Sequence, residues 1–544
     1  MPVIRIELSR LTRMVGADKG RIIDRLPYIG LDIESVDKNS VRVEYSPNRP
    51  DFGTDFGVAR ALRGLLGKDV GLPVYRASPS GLDVKVDGRL SLVRPFIACA
   101  TATGVKFDDE DVRQVISLQE DLHNGLGRKR RMIAIGLHDL DAISGPLRYV
   151  AVPPTFSFTP LDSKQKLTLT EILEKTEQGR LYGSVLKDAR LFPVILDSKD
   201  TVLSFPPIIN GSATKVSTKT GRLFIDVTGT NRGACEDVLA ILVTTLAEAG
   251  AKIGSVAIHY REGTNITPDL KERELRLDLG LIERTLGLGL TRAQVLDSLR
   301  RSRLSVRGSK VLAPRYRIDL LHPVDLAEEV ALGYGVYRIG PLYPASKQPG
   351  SFNATEEFLD RTSTVMAGEG MTELMTYELV DERMLYDNFG RRSGSKIAVH
   401  DPRTQEHSIL RDSLLPSLSA ALSGNVKEDY PQRVFEIGRV YARTGEGVGE
   451  SWSLGCLIAH TQSSYTEAKM YLEATFGALV GKEVLTKPLT HWAFSGGRAA
   501  SVSMDGTTVG AVGELKPEAL AAFGLTVPVS GFEVNLSLVF KLLK

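Results

Sequence analysis

The sequence predicts an α+β multidomain fold, and three observations carry that prediction. Segments such as "VIRIEL" and "SVRVEY" alternate apolar and polar residues with the period of half-buried strands. Others, such as "CEDVLAILVTTLAEAG", have the length and apolar content of a packed helix. The two kinds interleave along 544 residues, which at about 150 residues per domain corresponds to roughly three to five domains.

Composition narrows the class. Apolar residues make up 42% and charged residues 25%, as in ordinary globular proteins. A net charge of +2 argues against a surface devoted wholly to nucleic acid and leaves room only for local RNA contact. Cys99, Cys235 and Cys456 are far apart and form no CxxC pair, so neither a disulfide framework nor a structural zinc site is expected, and a reducing cytoplasm fits. The opening "MPVIRIELSRLTRMVG" carries Arg5, Glu7, Arg10 and Arg13 and reads as a strand followed by a helix, unlike a signal peptide. The longest apolar stretches are too short and interrupted to span a bilayer, so no membrane is expected.

Residues 1–85 read as a mixed α/β segment. After the two strands, "SPNRPDFGTDFG" (46–57) is rich in turn formers and reads as loop. A helix over 58–67 places Val58, Leu62, Leu65 and Leu66 on one face, closed by Gly67. "GLPVYRASPSG" (71–81) reads as a linker. Residues 86–262 read as an α+β domain. Its expected elements are a strand over 96–105, a helix in "EDVRQVISLQEDLHNGL", and strands at "MIAIGLHDLD", "FPVILD", "TVLSF" and "LFIDVTGT". A long apolar helix ends it at Gly250. Residues 268–342 read as a small winged-helix-like module, with strands at "ELRLDLG" and "RLSVR" and a Thr291–Gln294 capping box opening "TRAQVLDSLRRS". Residues 350–544 open with a helix capped by Asn353 and continue with strands at "TELMTYELV", "RVFEIGRVYA", "WSLGCLIA", "RAASVSMDG" and "TTVGAVGEL". With a helical stretch at 412–426 they predict an antiparallel sheet flanked by helices.

The first chemical signal is "RIDLLHPVDLAEEV", with Asp319, Asp325, Glu328 and Glu329. The last three share a helix face, where like charges repel by a few tenths of a kcal/mol per pair, about 0.3. Hard carboxylate oxygens suit Mg2+. The competing reading is a capping box from Asp325 to Glu328 with Arg315 and Arg317 as pairing partners, and from the residues alone it stands ahead. The run Arg128, Lys129, Arg130, Arg131 fits phosphate contact or a solvated surface equally well. "SFPPIINGSATKV" presents Asn210, Gly211 and Ser212 at a strand end, and Asp226, Thr228 and Thr230 alternate along "FIDVTGT". Hydroxyls and one acid so placed can orient a water, or simply satisfy a strand end. The two "DFG" triplets, Asp51–Gly53 and Asp55–Gly57, lack every other kinase signature and read as turns, and "TLGLGLTR" lacks the context of a dinucleotide site. GxxxxGK[ST], HExxH and GxSxG are all missing from the sequence.

Taken together, "YSPNRPDFGTDFGVARALRGL", "GRKRRMIAIGLHDLDAISGPLRY", "VLSFPPIINGSATKV", "LFIDVTGTN" and "RYRIDLLHPVDLAEEVALGYG" resemble, in order and along the whole chain, the β subunits of phenylalanyl-tRNA synthetases of archaeal and eukaryotic type. The resemblance implies a heterotetramer of two α and two β chains that joins phenylalanine to tRNA(Phe) with ATP and Mg2+, the synthetic site lying on α. It implies that 350–544 is a non-catalytic class II synthetase-like domain. No phosphate-gripping arginine is evident around "QRVFEIGRVY" or "TTVGAVGELKPEAL", so ATP and phenylalanine are expected at the α subunit. It implies that 86–262 is an editing domain hydrolysing mischarged Tyr-tRNA(Phe), with Leu203, Asn210, Ser212, Asp226 and Thr228 as pocket candidates and His138 as a further one, although a single strand histidine is more often structural. It implies a magnesium site at Asp319, Asp325, Glu328 and Glu329, which moves the metal reading ahead of the cap. Bacterial β subunits carry additional terminal domains, for which no room is expected here. Two alternatives remain: a non-catalytic RNA-binding scaffold that has lost editing, and a Mg2+-dependent phosphoryl-transfer enzyme, which the missing phosphate motifs disfavour.

Overall fold

A computed structural model describes residues 2–104, 106–343, 349–392, 396–445 and 447–544. Val105, the last residue of one expected strand, lies outside them. The chain forms two compact units, Met1–Tyr343 and Pro344–Lys544.

The first unit opens with a three-stranded antiparallel sheet in the order Val3–Glu7, Ser40–Tyr45, Leu31–Val36. Helices Leu8–Val15 and Asp55–Leu65 bury Leu11, Val58 and Leu62 together with Ile6 and Val43. The second helix begins three residues earlier than the sequence reading. Thr54 accepts the Gly57 N–H and caps it, so the second "DFG" is a first helical turn and not loop. Gly57 is required there, because a Cβ would lie 1.6 Å from the Asp51 carbonyl oxygen.

The largest sheet has ten strands among the described residues. Nine run in the order Ile209–Asn210, Val202–Phe205, Phe192–Leu196, Leu147–Val152, Ala77–Val86, Lys252–Tyr260, Phe96–Thr103, Arg222–Gly229, Ile133–Asp139, and Gly263–Thr267 joins Lys252–Tyr260. The linker read at 71–81 is therefore wrong from Ala77 onward. That strand is polar, with Val84 its one fully buried side chain, but parallel partners on both sides satisfy its backbone. Helix Arg232–Glu248 covers one face of the sheet, burying Val238, Leu239, Ile241 and Leu242 against Ala98, Ala100, Ile225 and Val227. Each such side chain contributes about 1.5–3 kcal/mol. The opposite face carries Cys99, Leu203 and Phe224.

Helix Asp109–Asn124 is pinned from the N-terminal sheet and its two helices at three points. Arg10 bonds Asp108 at 2.8 Å and Asp111 at 2.5 Å, two residues that form the helix's capping box. Gln114 accepts the Asp55 N–H at 2.8 Å, and Tyr45 donates to Asp121 at 2.6 Å.

The remainder of this unit is a three-stranded sheet, in the order Arg273–Arg276, Lys310–Ala313, Ser305–Arg307, with helices Leu279–Leu286, Arg292–Arg301 and Asp325–Tyr334. The Thr291–Gln294 capping box forms as read.

Among its described residues the second unit holds a seven-stranded sheet and a two-stranded one, Leu379–Val380 with Ile409–Leu410. The larger is antiparallel except where Thr372–Glu373 runs parallel to Gln432–Thr444. Helices Ala354–Gly368 and Tyr465–Val480 pack on one face with Phe435, Cys456 and Phe532. Helix Leu415–Gly424 packs on the other with Leu457 and Val529. Asn353 caps its helix as expected. "TELMTYELV" is not one strand, because Glu436 takes the Thr376 N–H and hydroxyl in place of a ladder, leaving Met375 96% and Tyr377 77% exposed.

Candidate functional site

The strand Arg222–Gly229 has two unlike faces. Leu223, Ile225 and Val227 point into the core under the long helix, while Asp226 and Thr228 line a cavity of about 470 Å3. Neighbouring strand Ile133–Asp139 pairs Gly136 with Asp226 and Ala134 with Thr228. Further walls come from Gln119 and Glu120 of the pinned helix, from Arg130, and from Ser204 to Asn210.

Both polar groups on this face are firmly held. His138 is fully buried, with Nε2 2.9 Å from Asp226 Oδ2 and Nδ1 2.8 Å from Thr214 Oγ1. Buried Arg94 donates to the Thr228 hydroxyl at 3.0 Å and to its carbonyl oxygen at 2.7 Å. Asn210 donates to the Leu137 carbonyl at 3.4 Å. It also borders an adjoining, more apolar cavity of about 330 Å3 that Phe107, Val112, Thr214 and Leu223 help to line.

Of the five expected pocket residues, the structure brings Asn210, Asp226 and Thr228 to one cavity. Leu203 is fully buried in the apolar cluster that contains Phe224 and Cys99, and it is not on the cavity wall. Ser212 is on neither wall, and its N–H bonds the Thr159 carbonyl at 3.0 Å. Thr230 lies beyond the strand end, donating its N–H to Met132.

The sequence reading missed Arg130 as a wall. Arg128, Lys129 and Arg131 are exposed, whereas Arg130 turns inward. It donates to the Ile208 carbonyl at 3.0 Å and to Glu120 at 3.0 Å, and its guanidinium lies 4.2 Å over the Tyr182 ring. The signal was three consecutive residues at positive φ, 49°, 55° and 64° for Arg128, Lys129 and Arg130, which composition does not reveal. The hydrogen bond to His123, with the His123 and Arg130 charges, outweighs burial, which acts to raise it, and holds the Glu120 carboxyl below its ordinary value.

The four acids expected to bind Mg2+ are differently engaged. Arg317, 2% exposed, contacts Asp319 at 2.7 Å and also bonds Glu329. Burial would raise the Asp319 carboxyl, but the Arg317 charge and hydrogen bond override it and hold it low. The expected capping box is absent. Asp325 is the first helical residue, and its Oδ2 accepts the N–H groups of Leu321 and His322 at 2.7 Å each, folding back onto the preceding turn. Glu328 is exposed, and its carboxyl is raised by partial burial and by the charges of Glu329 and Asp319. Arg315 turns instead to Asp237 at 2.9 Å. Among the described residues no group of three or more His, Cys, Asp or Glu is arranged to hold a metal ion, so these acids as placed do not fit a shared Mg2+.

Comparison with known proteins bears on these sites. The phenylalanine–tRNA ligase β subunit of Archaeoglobus fulgidus is 40% identical over 549 residues, covering 99% of this chain and 99% of the relative. The chain belongs to the phenylalanine–tRNA ligase β-subunit family. The β subunit of Methanococcoides burtonii is 36% identical, covering 99% of this chain and all of the relative. A crystal structure of an N-terminal fragment of the Pyrococcus horikoshii phenylalanyl-tRNA synthetase β subunit matches with a TM-score of 0.59 at 36% identity, covering 61% of this chain and the whole fragment. The family model for the tRNA synthetase B5 domain matches residues 275–336, the module that holds the four acids. The model for the phenylalanyl-tRNA synthetase β chain CLM domain matches 339–536, the seven-stranded sheet and its helices. As a β subunit the chain has an α-subunit partner in the ligase, and no helix among the described residues is long and apolar enough to cross a membrane.

Proposed function

We propose that this β subunit hydrolyses mischarged Tyr-tRNA(Phe) in the cavity beside Asp226, while its α partner joins phenylalanine to tRNA(Phe) with ATP in a cytoplasmic tetramer of two α and two β chains. The observation that carries the editing part is the convergence of Asn210, Asp226 and Thr228 on one cavity of about 470 Å3, within the range of about 300–1,000 Å3 typical of small-molecule sites. A synthetic pocket shaped for phenylalanine discriminates poorly against an added hydroxyl, so a second, hydrolytic site completes the selection.

Hydrolysis needs a water driven onto the ester carbonyl, cleavage of the bond to the ribose oxygen, and return of a proton to that oxygen. Asp226 accepts a hydrogen bond from the attacking water, and Asn210 and Thr228 complete the polar wall. Among the described residues no serine or cysteine bonds His138, whose ring contacts Asp226 and Thr214, and the proposal takes water as the nucleophile. Mg2+ at Asp319, Asp325, Glu328 and Glu329 has no step in this proposal, because Arg317 already bonds two of those carboxylates.

The test is clearance of Tyr-tRNA(Phe) by the αβ assembly. Asp226→Ala is expected to slow deacylation by about 100-fold or more, the usual contribution of a positioned base. Equal clearance by variant and wild type removes the editing assignment and leaves the scaffold reading.

A further inference from the structure

Building on the editing assignment, we infer that His138 is a positioning residue for Asp226, and that Gly136, Asp226, His138 and Thr214 act as one fixed unit joining two walls of the cavity. His138 is 0% exposed and Asp226 1%. A carboxylate only accepts, so Nε2 donates to Asp226 Oδ2, and Nδ1 bonds the Thr214 hydroxyl. Both nitrogens are thereby engaged, one by each wall. One oxygen of Asp226 is committed to the histidine. Oδ1 has no hydrogen-bond partner among the described residues and remains for a water in the cavity that Asp226 lines.

The strand pairing explains why the contact exists. Gly136 lies directly across from Asp226, and His138 is two residues further on, on the same face. A Cβ on Gly136 would lie 2.1 Å from Asp226 Oδ2 and 2.6 Å from His138 Nε2. Glycine therefore leaves the space through which the carboxylate reaches diagonally to the imidazole. Thr214 ends the short turn Ser212–Thr214 that follows Asn210. Through His138, the loop carrying one polar wall is tied to the strand carrying the other. A water-orienting carboxylate must be held to a fraction of an ångström, and His138, which does not line the cavity, supplies that restraint from behind Asp226.

Deacylation of Tyr-tRNA(Phe) by αβ assemblies carrying His138→Asn, Thr214→Val, Asp226→Ala and the pair His138→Asn/Asp226→Ala tests this, with unfolding temperature as the check on folding. For His138→Asn, kcat is expected to fall by about 10- to 100-fold with KM within about twofold, because misplacement costs rate more than binding. Thr214→Val, nearly the same volume, is expected to lower kcat in the same direction by less, and it decides the matter if His138→Asn does not fold. The pair is expected to be no slower than Asp226→Ala alone, since groups acting as one unit do not add. Wild-type kcat in either folded single variant, a loss confined to KM, or multiplying losses in the pair overturns the inference. Wild-type clearance by Asp226→Ala overturns the editing assignment itself. Slow Asp226→Ala beside wild-type His138→Asn overturns only the role of the histidine.

Discussion

Arg317→Met replaces a buried cation with an apolar side chain of similar length and leaves two carboxylates facing each other. The side chains of Arg317, Asp319 and Glu329 are 3%, 11% and 6% exposed. Removing one partner of such a buried set costs about 3–5 kcal/mol, because the remaining charges stay desolvated and unpaired. The Arg49 charge also acts on Asp319, which places the expectation at the low end, about 3 kcal/mol. The sign with pH follows from Asp319, whose carboxyl is held below its ordinary value. Its share of the stability is complete above that ordinary value and is lost as pH falls through the lower folded one, so at neutral pH the full loss is seen. Hydrogen exchange along helix Asp325–Tyr334 reads it locally, with roughly 100-fold faster exchange expected in the variant. Wild-type exchange is expected to be indifferent to a chelator and to added Mg2+. If chelation alone removed as much protection as Arg317→Met, an ion and not the arginine would be holding the acids, and the reasoning would fail.

Two further outcomes follow from groups packed nearby. Burial would raise the Asp51 carboxyl, but Arg49 and Arg60 hold it at about 2 instead of 3.8, which corresponds to about 2 kcal/mol of stability present above about pH 4 and lost toward pH 2. Asp51→Asn should flatten that part of the acid-unfolding profile, and an unchanged slope would show that other groups set it. Gly57→Ala forces a Cβ to 1.6 Å from the Asp51 carbonyl oxygen, so a loss of about 3 kcal/mol, the upper end for overpacking, is expected in thermal unfolding, and a wild-type transition would mean the turn relaxes freely.

Period and caps were legible along the chain where a segment made its own case. Strands Ser40–Tyr45 and Arg222–Gly229, helix Arg232–Glu248 and the Thr291 capping box all lie where alternation, length or cap residues put them. Strand Ala77–Val86 was not legible, because its partners and not its side chains hold it. The site divides the same way. Asp226 and Thr228 share a face by strand period alone. That Leu203 is buried in the core, that Gly136 sits opposite Asp226, and that Arg130 turns inward depend on register and on positive φ, which arise only when distant strands meet. Both nearby arginines were read as partners of the four acids, and the structure separates them. Arg317 joins the acids, while Arg315 goes to Asp237.

The pinning of helix Asp109–Asn124 bears on how portable the cavity is. Gln119 and Glu120 stand on that helix, yet its position is set by Arg10, Tyr45 and the Asp55 backbone, all from the first 85 residues. A fragment cut at the edges of 86–262 would carry every polar wall residue and still lack the supports that aim two of them. Anyone grafting this cavity onto another scaffold has to move the N-terminal sheet with it, and natural recombination between relatives faces the same constraint. The hydrolytic pocket and the small domain before it are inherited as one part.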